Sequence, residues 1–192
     1  MLPLLLASSS PYRRELLARL QLPFICCSPD IDENHRLGES AIDLVKRLAE
    51  EKARALASSH PAHLIIGSDQ VAVLDDKIIG KPYTFEKARD QLLAASGASV
   101  TFLTGLALLN TQTGACQVDC VPFTVHMRTL DCARIERYLH AEQPYDCAGS
   151  FKAEGLGVSL FQRTEGPDAT SLIGLPLIRL IDMLLTEGVQ IP

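Results

Sequence analysis

The sequence predicts an α/β fold, and three observations support that prediction. In the first half of the chain, short apolar runs typical of buried strands alternate with amphipathic helical segments. In the second half, two longer runs rich in Val, Thr, Leu and Phe flank a turn. The 192 residues, 47% of them hydrophobic, are enough to bury a substantial core. We therefore expect layers of helices packed on a β-sheet.

The first half of the chain contains three predicted strands and three predicted helices. The strands are Leu4–Ala7, Phe24–Cys27 and residues 64–66, and the helices are residues 13–20, residues 41–57 and Phe85–Ala95. Pro11 stands where the first helix begins, with Ser10 as its N-cap, and Ser40 caps the second helix. This alternation of strand and helix is the usual rhythm of an α/β layer architecture.

The second half begins with a predicted antiparallel pair. Residues 100–109 and Cys116–Met127 read as strands, and residues 110–114 have the composition of a hairpin turn. A helix at 132–140, a strand near 158–162 and a helix at 177–185 complete the chain. No stretch has the composition of a linker, so we expect one domain over residues 1–192. Two lobes around a cleft are an open alternative.

Composition and charge exclude several classes of function. The formal net charge of −5 argues against a nucleic-acid polymer as the main partner, although a local cationic cluster can still bind a small anion. The apolar run at residues 2–7 is too short for a membrane span or a signal peptide. The six cysteines form no Cys-x-x-Cys motif, which suits free thiols. We expect a cytoplasmic protein without a membrane partner, and a homodimer is left open.

A phosphate site is one interpretation of Ser8-Ser9-Ser10-Pro11-Tyr12-Arg13-Arg14, which follows the first predicted strand. Serine hydroxyls, free backbone N–H groups and two guanidinium groups meet there at a helix N-terminus. Such donors bind phosphate oxygens with little reorganisation. The alternative is an ordinary strand–turn–helix with solvated arginines.

Four more segments carry charged side chains near the ends of predicted strands and helices. They contain Glu33, Lys52, Asp69 and Lys81. Carboxylate oxygens suit Mg²⁺ or Mn²⁺, and the cations would neutralise phosphate oxygens. Each has a simpler reading as a solvated turn or a helix-surface ion pair. The set is more informative than any member, because strand ends in an α/β fold gather at one edge of the sheet.

Taken in order, these segments resemble the Maf family of nucleoside triphosphate pyrophosphatases. The resemblance covers most of the chain, through residues 7–17, 32–33, 51–53, 67–70, 80–82, 96–97, 104–105, 148–155 and 174–176. It implies an elongated α/β fold, similar to that of inosine triphosphatases, with a central mixed sheet, flanking helices and a deep nucleotide cleft. It also implies metal-dependent hydrolysis between the α- and β-phosphates, which releases a nucleoside monophosphate and pyrophosphate.

The resemblance also implies roles for individual residues. Asp69 is the expected proton acceptor, and Glu33 with Asp69 would hold the divalent metal cation, Mg²⁺ or Mn²⁺. The expected ligands of the nucleoside triphosphate are cationic or hydroxyl side chains: Ser8, Arg13, Arg14, Lys52 and Lys81.

Three positions point to a subgroup of the family. Tyr12, Gln70 and Glu154 are similar to the subgroup that acts on 7-methyl-GTP, whereas the subgroup that prefers dTTP and UTP usually carries Arg, Thr and Gln there. A methylated guanine is cationic and suits an aromatic face, and a carboxylate can accept from its N1–H and amino groups. Thr170 departs from the usual Asn of the family, which leaves the role of its loop open. The alternatives are a pyrimidine-selective enzyme of the same family and a nucleotide-binding regulator of cell division.

Overall fold

The computed structural model describes residues 2–191, and its chain divides into two compact units. The first unit contains the residues up to Gln70, the segment Thr104–Val121 and the residues from Asp168 onward. The second unit contains Val71–Leu103 and Pro122–Pro167. In the part of the chain that the structure describes, no helix is both long enough and apolar enough to cross a membrane.

Six α-helices and seven β-strands are found among residues 2–191. The helices are α1 (Pro11–Ala18), α2 (Ala41–Ala55), α3 (Phe85–Ala95), α4 (Cys132–Glu142), α5 (Ala169–Ile173) and α6 (Leu177–Thr186). The strands are β1 (Leu4–Ala7), β2 (Phe24–Cys27), β3 (Leu64–Leu74), β4 (Lys77–Ile79), β5 (Ser99–Asn110), β6 (Cys116–Met127) and β7 (Phe161–Glu165). Two short 3₁₀ helices, Ala148–Ser150 and Leu156–Leu160, lie between α4 and β7.

The strands form one mixed sheet, which confirms the predicted fold class. Their order is β2-β1-β3-β5-β6-β7, and β4 pairs with β3. Strand β1 is parallel to both β2 and β3, whereas the β3–β4 and β6–β7 pairs are antiparallel. The carboxyl ends of β1 and β3 therefore point to the same edge of the sheet. The Ser8 segment follows β1 as predicted, whereas β3 continues to Leu74, so Asp69 lies inside the strand and not after a strand that ends at residue 66.

The strand predicted near residues 158–162 is placed wrongly. Leu156–Leu160 forms a 3₁₀ helix, and the strand begins only at Phe161. A Cβ atom built on Gly157 would lie 2.2 Å from the backbone oxygen of Lys152, so only glycine allows the chain to coil this tightly. The apolar run therefore belongs to a compact turn first and to a strand afterwards.

Helix α5 was not predicted from the sequence, because its five residues are too few to show a helical period. Asp168 precedes it and caps it: its Oδ1 accepts from the backbone N of Thr170 at 2.8 Å. The Oδ2 atom of Asp168 accepts from Ile178 N of α6 at 2.8 Å, and Thr170 Oγ1 accepts from Leu177 N at 2.9 Å. The loop around Thr170 thus joins and caps two helices.

Strand β3 separates two hydrophobic clusters of the first unit. Leu64 and Ile66 pack with the leucines of α1 and α6 on one face of the sheet. Ile65 packs on the opposite face with Ala49 and Ala53 of α2. Side chains alternate along a strand, so the residues that follow Ile66 point in turn to the face of α2 and to the face of α1 and α6. It determines which neighbours each polar side chain of the candidate site meets.

Two glycines allow α2 to lie directly on the sheet. A Cβ atom built on Gly67 of β3 would lie 2.0 Å from the carbonyl oxygen of Ala49. The same construction on Gly105 of β5 gives 2.0 Å to the carbonyl oxygen of Val45. Neither contact could be relieved by a side-chain rotation, because both partners are backbone atoms of α2. The close approach brings α2 onto the stretch of β3 that contains Asp69.

We predict that Gly67→Ala destabilises the protein by roughly 2–3 kcal/mol, because the new methyl group forces α2 away from β3. Urea unfolding followed by circular dichroism measures the change. Gly80→Ala is the matched control: nothing lies within 4 Å of a Cβ at Gly80, and the stability there should change by less than about 1 kcal/mol. Equal effects of the two substitutions would show that the α2–β3 contact is not a tight constraint.

Candidate active site

The structure brings three of the predicted site residues together around one ammonium group. Lys52 lies in the last turns of α2, and its Nζ atom is 2.7 Å from Asp69 Oδ1 and 2.8 Å from Glu33 Oε1. The side chains of Lys52 and Asp69 are only 8% and 12% exposed. A buried charge is costly unless it is paired, so Lys52 and Asp69 need each other, whereas the Glu33 side chain is 60% exposed and adds a second carboxylate at the surface.

The loop that carries Glu33 is held by Arg47 of α2. The guanidinium group of Arg47 donates to both carboxylate oxygens of Glu39, at 2.5 and 2.8 Å, and to the carbonyl oxygen of Asn34 at 3.1 Å. Its remaining nitrogen donates to Glu51 at 3.0 Å. These bonds fix the backbone next to Glu33 against the same helix that carries Lys52. The Arg47 hydrogen bonds lower the pKa of Glu39 to about 2.

The N-terminus of α1 has the capped geometry that the sequence predicts. Ser10 Oγ accepts from the backbone N of Arg13 at 3.4 Å, and the buried Ser8 hydroxyl oxygen accepts from the backbone N of Ser10 at 3.1 Å. Tyr12 is half-buried and Arg14 is exposed. The two serines therefore satisfy part of the helix terminus themselves, and the dipole of α1 still favours an anion beside it.

Arg13 is tied to the end of α5. Its Nε atom donates to the carbonyl oxygen of Gly174 at 2.8 Å, and the hydroxyl group of Ser68 donates to the same oxygen at 3.0 Å. Burial lowers the pKa of Arg13, and the negative charges of Asp69 and Glu33 oppose that shift. The guanidinium group stays charged at neutral pH and adds a second cation to the field of the two carboxylates.

Gln70 is bonded within the first unit through its side-chain amide. Its Nε2 atom lies 3.0 Å from Thr104 Oγ1 and 2.7 and 3.2 Å from the carbonyl oxygens of Ser171 and Leu172. Sequence reasoning missed Thr104 and Ser171 as its partners. Both lie in or beside motifs of the family resemblance, but nothing in their spacing links them to Gln70. The role of Gln70 in selecting the base stays a prediction, and its Oε1 atom is the part of the amide left for a ligand.

Lys81 and Glu154 lie in the second unit, and both are exposed. Lys81 follows the short strand β4. Glu154 stands between the two 3₁₀ helices. The structure places them in separate loops of that unit, so their predicted contacts with phosphate and base stay predictions.

Two residues of α4 hold the loop that carries Glu154. The hydroxyl oxygen of Tyr138 accepts from the backbone N of Lys152 at 3.0 Å. Glu142 Oε2 accepts from the backbone N of Leu156 at 2.7 Å. Burial raises the pKa of Tyr138, so its hydroxyl group stays protonated at neutral pH. The loop is therefore tied to α4 on both sides of Glu154.

Asp69 and Glu33 are the residues that could hold a metal ion. Lys52 takes one oxygen of each carboxylate, which leaves the second oxygen of each for another cation. Among residues 2–191, no group of three or more His, Cys, Asp or Glu side chains is arranged around a common point. Mg²⁺ in nucleotide enzymes commonly binds one or two carboxylates and takes its other ligands from phosphates and water. The two carboxylates fit that pattern.

Comparisons with known proteins show the family of the chain. A family profile described as Maf-like protein matches residues 3–187. The chain belongs to the Maf family. It is 86% identical over 192 residues to a protein of Pseudomonas fluorescens strain Pf0-1, and the match covers all of both chains. It is 71% identical over 189 residues to a Pseudomonas aeruginosa protein, covering 98% of each chain. An Alcanivorax borkumensis protein is 60% identical over 98% of this chain and 96% of its own length. All three relatives are named 7-methyl-GTP pyrophosphatase.

We predict that the Glu39–Arg47 pair makes folding stability dependent on pH in the acid range. The pKa of Glu39 falls from an ordinary 4.5 to about 2 in the folded state, so its contribution is present above pH 4.5 and is lost as the pH falls towards 2. Urea midpoints of wild type and Glu39→Gln should differ most at pH 7 and converge as the pH falls to about 2. If the two urea midpoints differ by the same amount at pH 7 and at pH 3, the Glu39–Arg47 pair is not the source of the pH dependence.

Proposed function

We propose that the protein is a nucleoside triphosphate pyrophosphatase that hydrolyses 7-methyl-GTP to 7-methyl-GMP and pyrophosphate. The observation that carries the proposal is the name 7-methyl-GTP pyrophosphatase shared by relatives that are 60–86% identical over nearly the whole chain. Tyr12, Gln70 and Glu154 independently support this substrate over a pyrimidine. The activity would remove modified nucleotides from the cytoplasmic pool.

The first unit supplies the groups that the hydrolysis needs. Lys52 orients Asp69, which takes a proton from a water molecule. The oxygen atom of that water molecule attacks the α-phosphorus. The bond from phosphorus to the α–β bridging oxygen then breaks, and pyrophosphate leaves with that oxygen. When bound by Asp69 and Glu33, Mg²⁺ or Mn²⁺ would lower the pKa of water and screen the developing negative charge.

Cationic and hydroxyl side chains are the predicted ligands of the triphosphate. In the first unit, Ser8, Arg13 and Arg14 surround the N-terminus of α1, where backbone N–H groups and the helix dipole also favour phosphate. Lys52 can exchange part of its carboxylate pairing for a phosphate oxygen when the substrate is bound. In the second unit, the exposed Lys81 supplies one more ammonium group.

The base is selected by an aromatic ring and a carboxylate. Tyr12 of the first unit is the predicted aromatic contact of the cationic methylguanine, and the exposed Glu154 of the second unit is the predicted acceptor for the N1–H and amino groups of the base. A pyrimidine lacks this pair of donors. Gln70 would add its side-chain oxygen as an acceptor, because its amide hydrogens are taken by Thr104 and the end of α5.

The test of the proposed substrate is a pyrophosphate-release assay over 7-methyl-GTP, GTP, dTTP and UTP. We expect the highest kcat/KM for 7-methyl-GTP. Tyr12→Leu should narrow the gap between 7-methyl-GTP and GTP by about 2- to 30-fold, the value of a cation–π contact. Glu154→Gln should lower kcat/KM for both 7-methyl-GTP and GTP and leave kcat/KM for UTP nearly unchanged. A wild-type preference for UTP or dTTP would overturn the proposal.

Asp69→Asn is predicted to lower kcat by about 10²–10⁴-fold, because the amide cannot take the proton of the attacking water. It keeps the shape of the side chain and an oxygen for Lys52, so the fold should persist. Stopped assays of pyrophosphate release and a thermal melt measure both properties. Near-normal turnover by a folded Asp69→Asn protein would remove Asp69 from the mechanism.

Removal of divalent cations is predicted to abolish turnover. After exhaustive EDTA treatment the activity should fall to background and return on addition of Mg²⁺ or Mn²⁺. Calorimetric titration with Mn²⁺ in the presence of a non-hydrolysable triphosphate should show weaker binding in Glu33→Gln than in wild type. Undiminished turnover in EDTA, or equal Mn²⁺ affinity of the two proteins, would argue against this role of the carboxylates.

A further inference from the structure

Gln91 of α3 contacts two loops of the second unit at once. Its Nε2 atom donates to the carbonyl oxygen of Gly80 at 3.1 Å, and its Oε1 atom accepts from the hydroxyl group of Ser150. Gly80 directly precedes Lys81, and Ser150 lies four residues before Glu154. One side chain on a rigid helix thus bonds both the Lys81 loop (residues 80–84) and the Glu154 loop (residues 148–156).

Both loops contain a non-glycine residue with a positive φ. Ser150 has φ of +64° and is fully buried, and Tyr83 has φ of +62°. A left-handed backbone at such residues persists only where the surrounding contacts hold it. The Gln91 bond holds the hydroxyl group of Ser150. A bond of 2.9 Å from Tyr83 N to the carbonyl oxygen of Tyr145 holds the other loop.

The position of the serine is further restricted by its neighbour. Gly149 has φ of +75°, and a Cβ atom there would lie 3.0 Å from the ring of Phe102. The chain therefore enters Ser150 along a fixed path with two left-handed residues in succession. The hydroxyl group is directed at α3 as a result, and Gln91 is the residue of α3 that receives it.

We propose that Gln91 is a positioning residue that fixes the Lys81 loop relative to the Glu154 loop, and so sets the spacing between a phosphate-binding cation and a base-reading carboxylate. This inference rests on the proposed function of those two residues. The two-ring purine carries its Watson–Crick edge farther from the ribose than a pyrimidine does, so a set spacing between Lys81 and Glu154 favours a purine triphosphate. A pyrimidine triphosphate bound at Lys81 reaches Glu154 less well.

Four variants separate the parts of this arrangement. Gln91→Met removes both bonds at similar side-chain volume. Gln91→Glu keeps an oxygen for Ser150 but turns a second oxygen, instead of an N–H donor, towards Gly80. Ser150→Ala removes only the bond to the Glu154 loop. Gln162→Met is the matched control, because Gln162 is an exposed residue of β7 in the same unit.

Amide hydrogen exchange without any nucleotide tests the link between Gln91 and the loops. In Gln91→Met we expect Tyr83 N and Lys152 N to exchange about five- to tenfold faster, the effect of losing about one net hydrogen bond. Gln91→Glu should accelerate exchange at Tyr83 N, and Ser150→Ala should accelerate exchange at Lys152 N. The control Gln162→Met should exchange at the wild-type rate at both amides. Unchanged exchange at both amides in Gln91→Met would overturn the proposal.

Steady-state kinetics test the consequence for substrate choice. Gln91→Met should raise KM for 7-methyl-GTP about fivefold with little change in kcat, and should lower the kcat/KM ratio of 7-methyl-GTP to UTP. In a Glu154→Gln background it should leave that ratio unchanged, since Gln91 acts through Glu154. An equal drop of the ratio in both backgrounds would mean that Gln91 does not position Glu154.

The two claims fail in different ways. If wild type does not prefer 7-methyl-GTP and Gln91→Met still accelerates exchange at both loops, the proposed substrate is wrong and the structural link stands. If wild type prefers 7-methyl-GTP and the Gln91 variants match it in exchange and in the substrate ratio, the substrate stands and the positioning role of Gln91 is wrong.

Discussion

The ammonium group of Lys52 is the charge on which the candidate site depends. It is almost completely buried, and it lies within 2.8 Å of both Asp69 and Glu33. A charge at such a position is costly without an opposite charge beside it, and the same holds for the similarly buried Asp69. Each ion is therefore acceptable only because the other is there. The pair joins the end of α2 to β3 and draws the loop of Glu33 towards them.

Packing of α2 against the sheet makes this pairing possible. Gly67 and Gly105 leave no side chain between the strands and the carbonyl oxygens of Ala49 and Val45. On the other face of β3, Ser68 and Gln70 meet the carbonyl oxygens at the end of α5 instead of charges. The alternation of one strand thus directs Asp69 towards Lys52 of α2, and directs Ser68 and Gln70 towards the end of α5.

Much of the fold was predictable from local sequence. β1, β2, β6 and α3 have the bounds that the patterns predict, because each combines a clear apolar period with a cap or a turn at its ends. Helix α5 and the start of β7 were not predictable in this way. One is too short to show a period, and the other follows a glycine-dependent turn.

The candidate site was predictable as a set of residues but not as a geometry. The resemblance to the Maf family selected Lys52, Asp69 and Glu33, yet it did not show that the lysine joins the two carboxylates. The bonds from Gln70 to Ser171 span 101 residues, and no spacing rule connects such positions. Only the packing of the sheet against α2 and α5 determines these pairs.

A double-mutant cycle on Lys52 and Asp69 tests the central claim most directly. Urea unfolding gives the stability of wild type, Lys52→Met, Asp69→Leu and the double variant. Lys52→Met should cost roughly 3 kcal/mol, because it leaves Asp69 buried without its partner, and Asp69→Leu should cost less, because Lys52 keeps its pairing with Glu33. The double variant should cost at least about 1.5 kcal/mol less than the sum of the two. Costs that add to within about 0.5 kcal/mol would show that the two charges do not depend on each other, and would contradict the account.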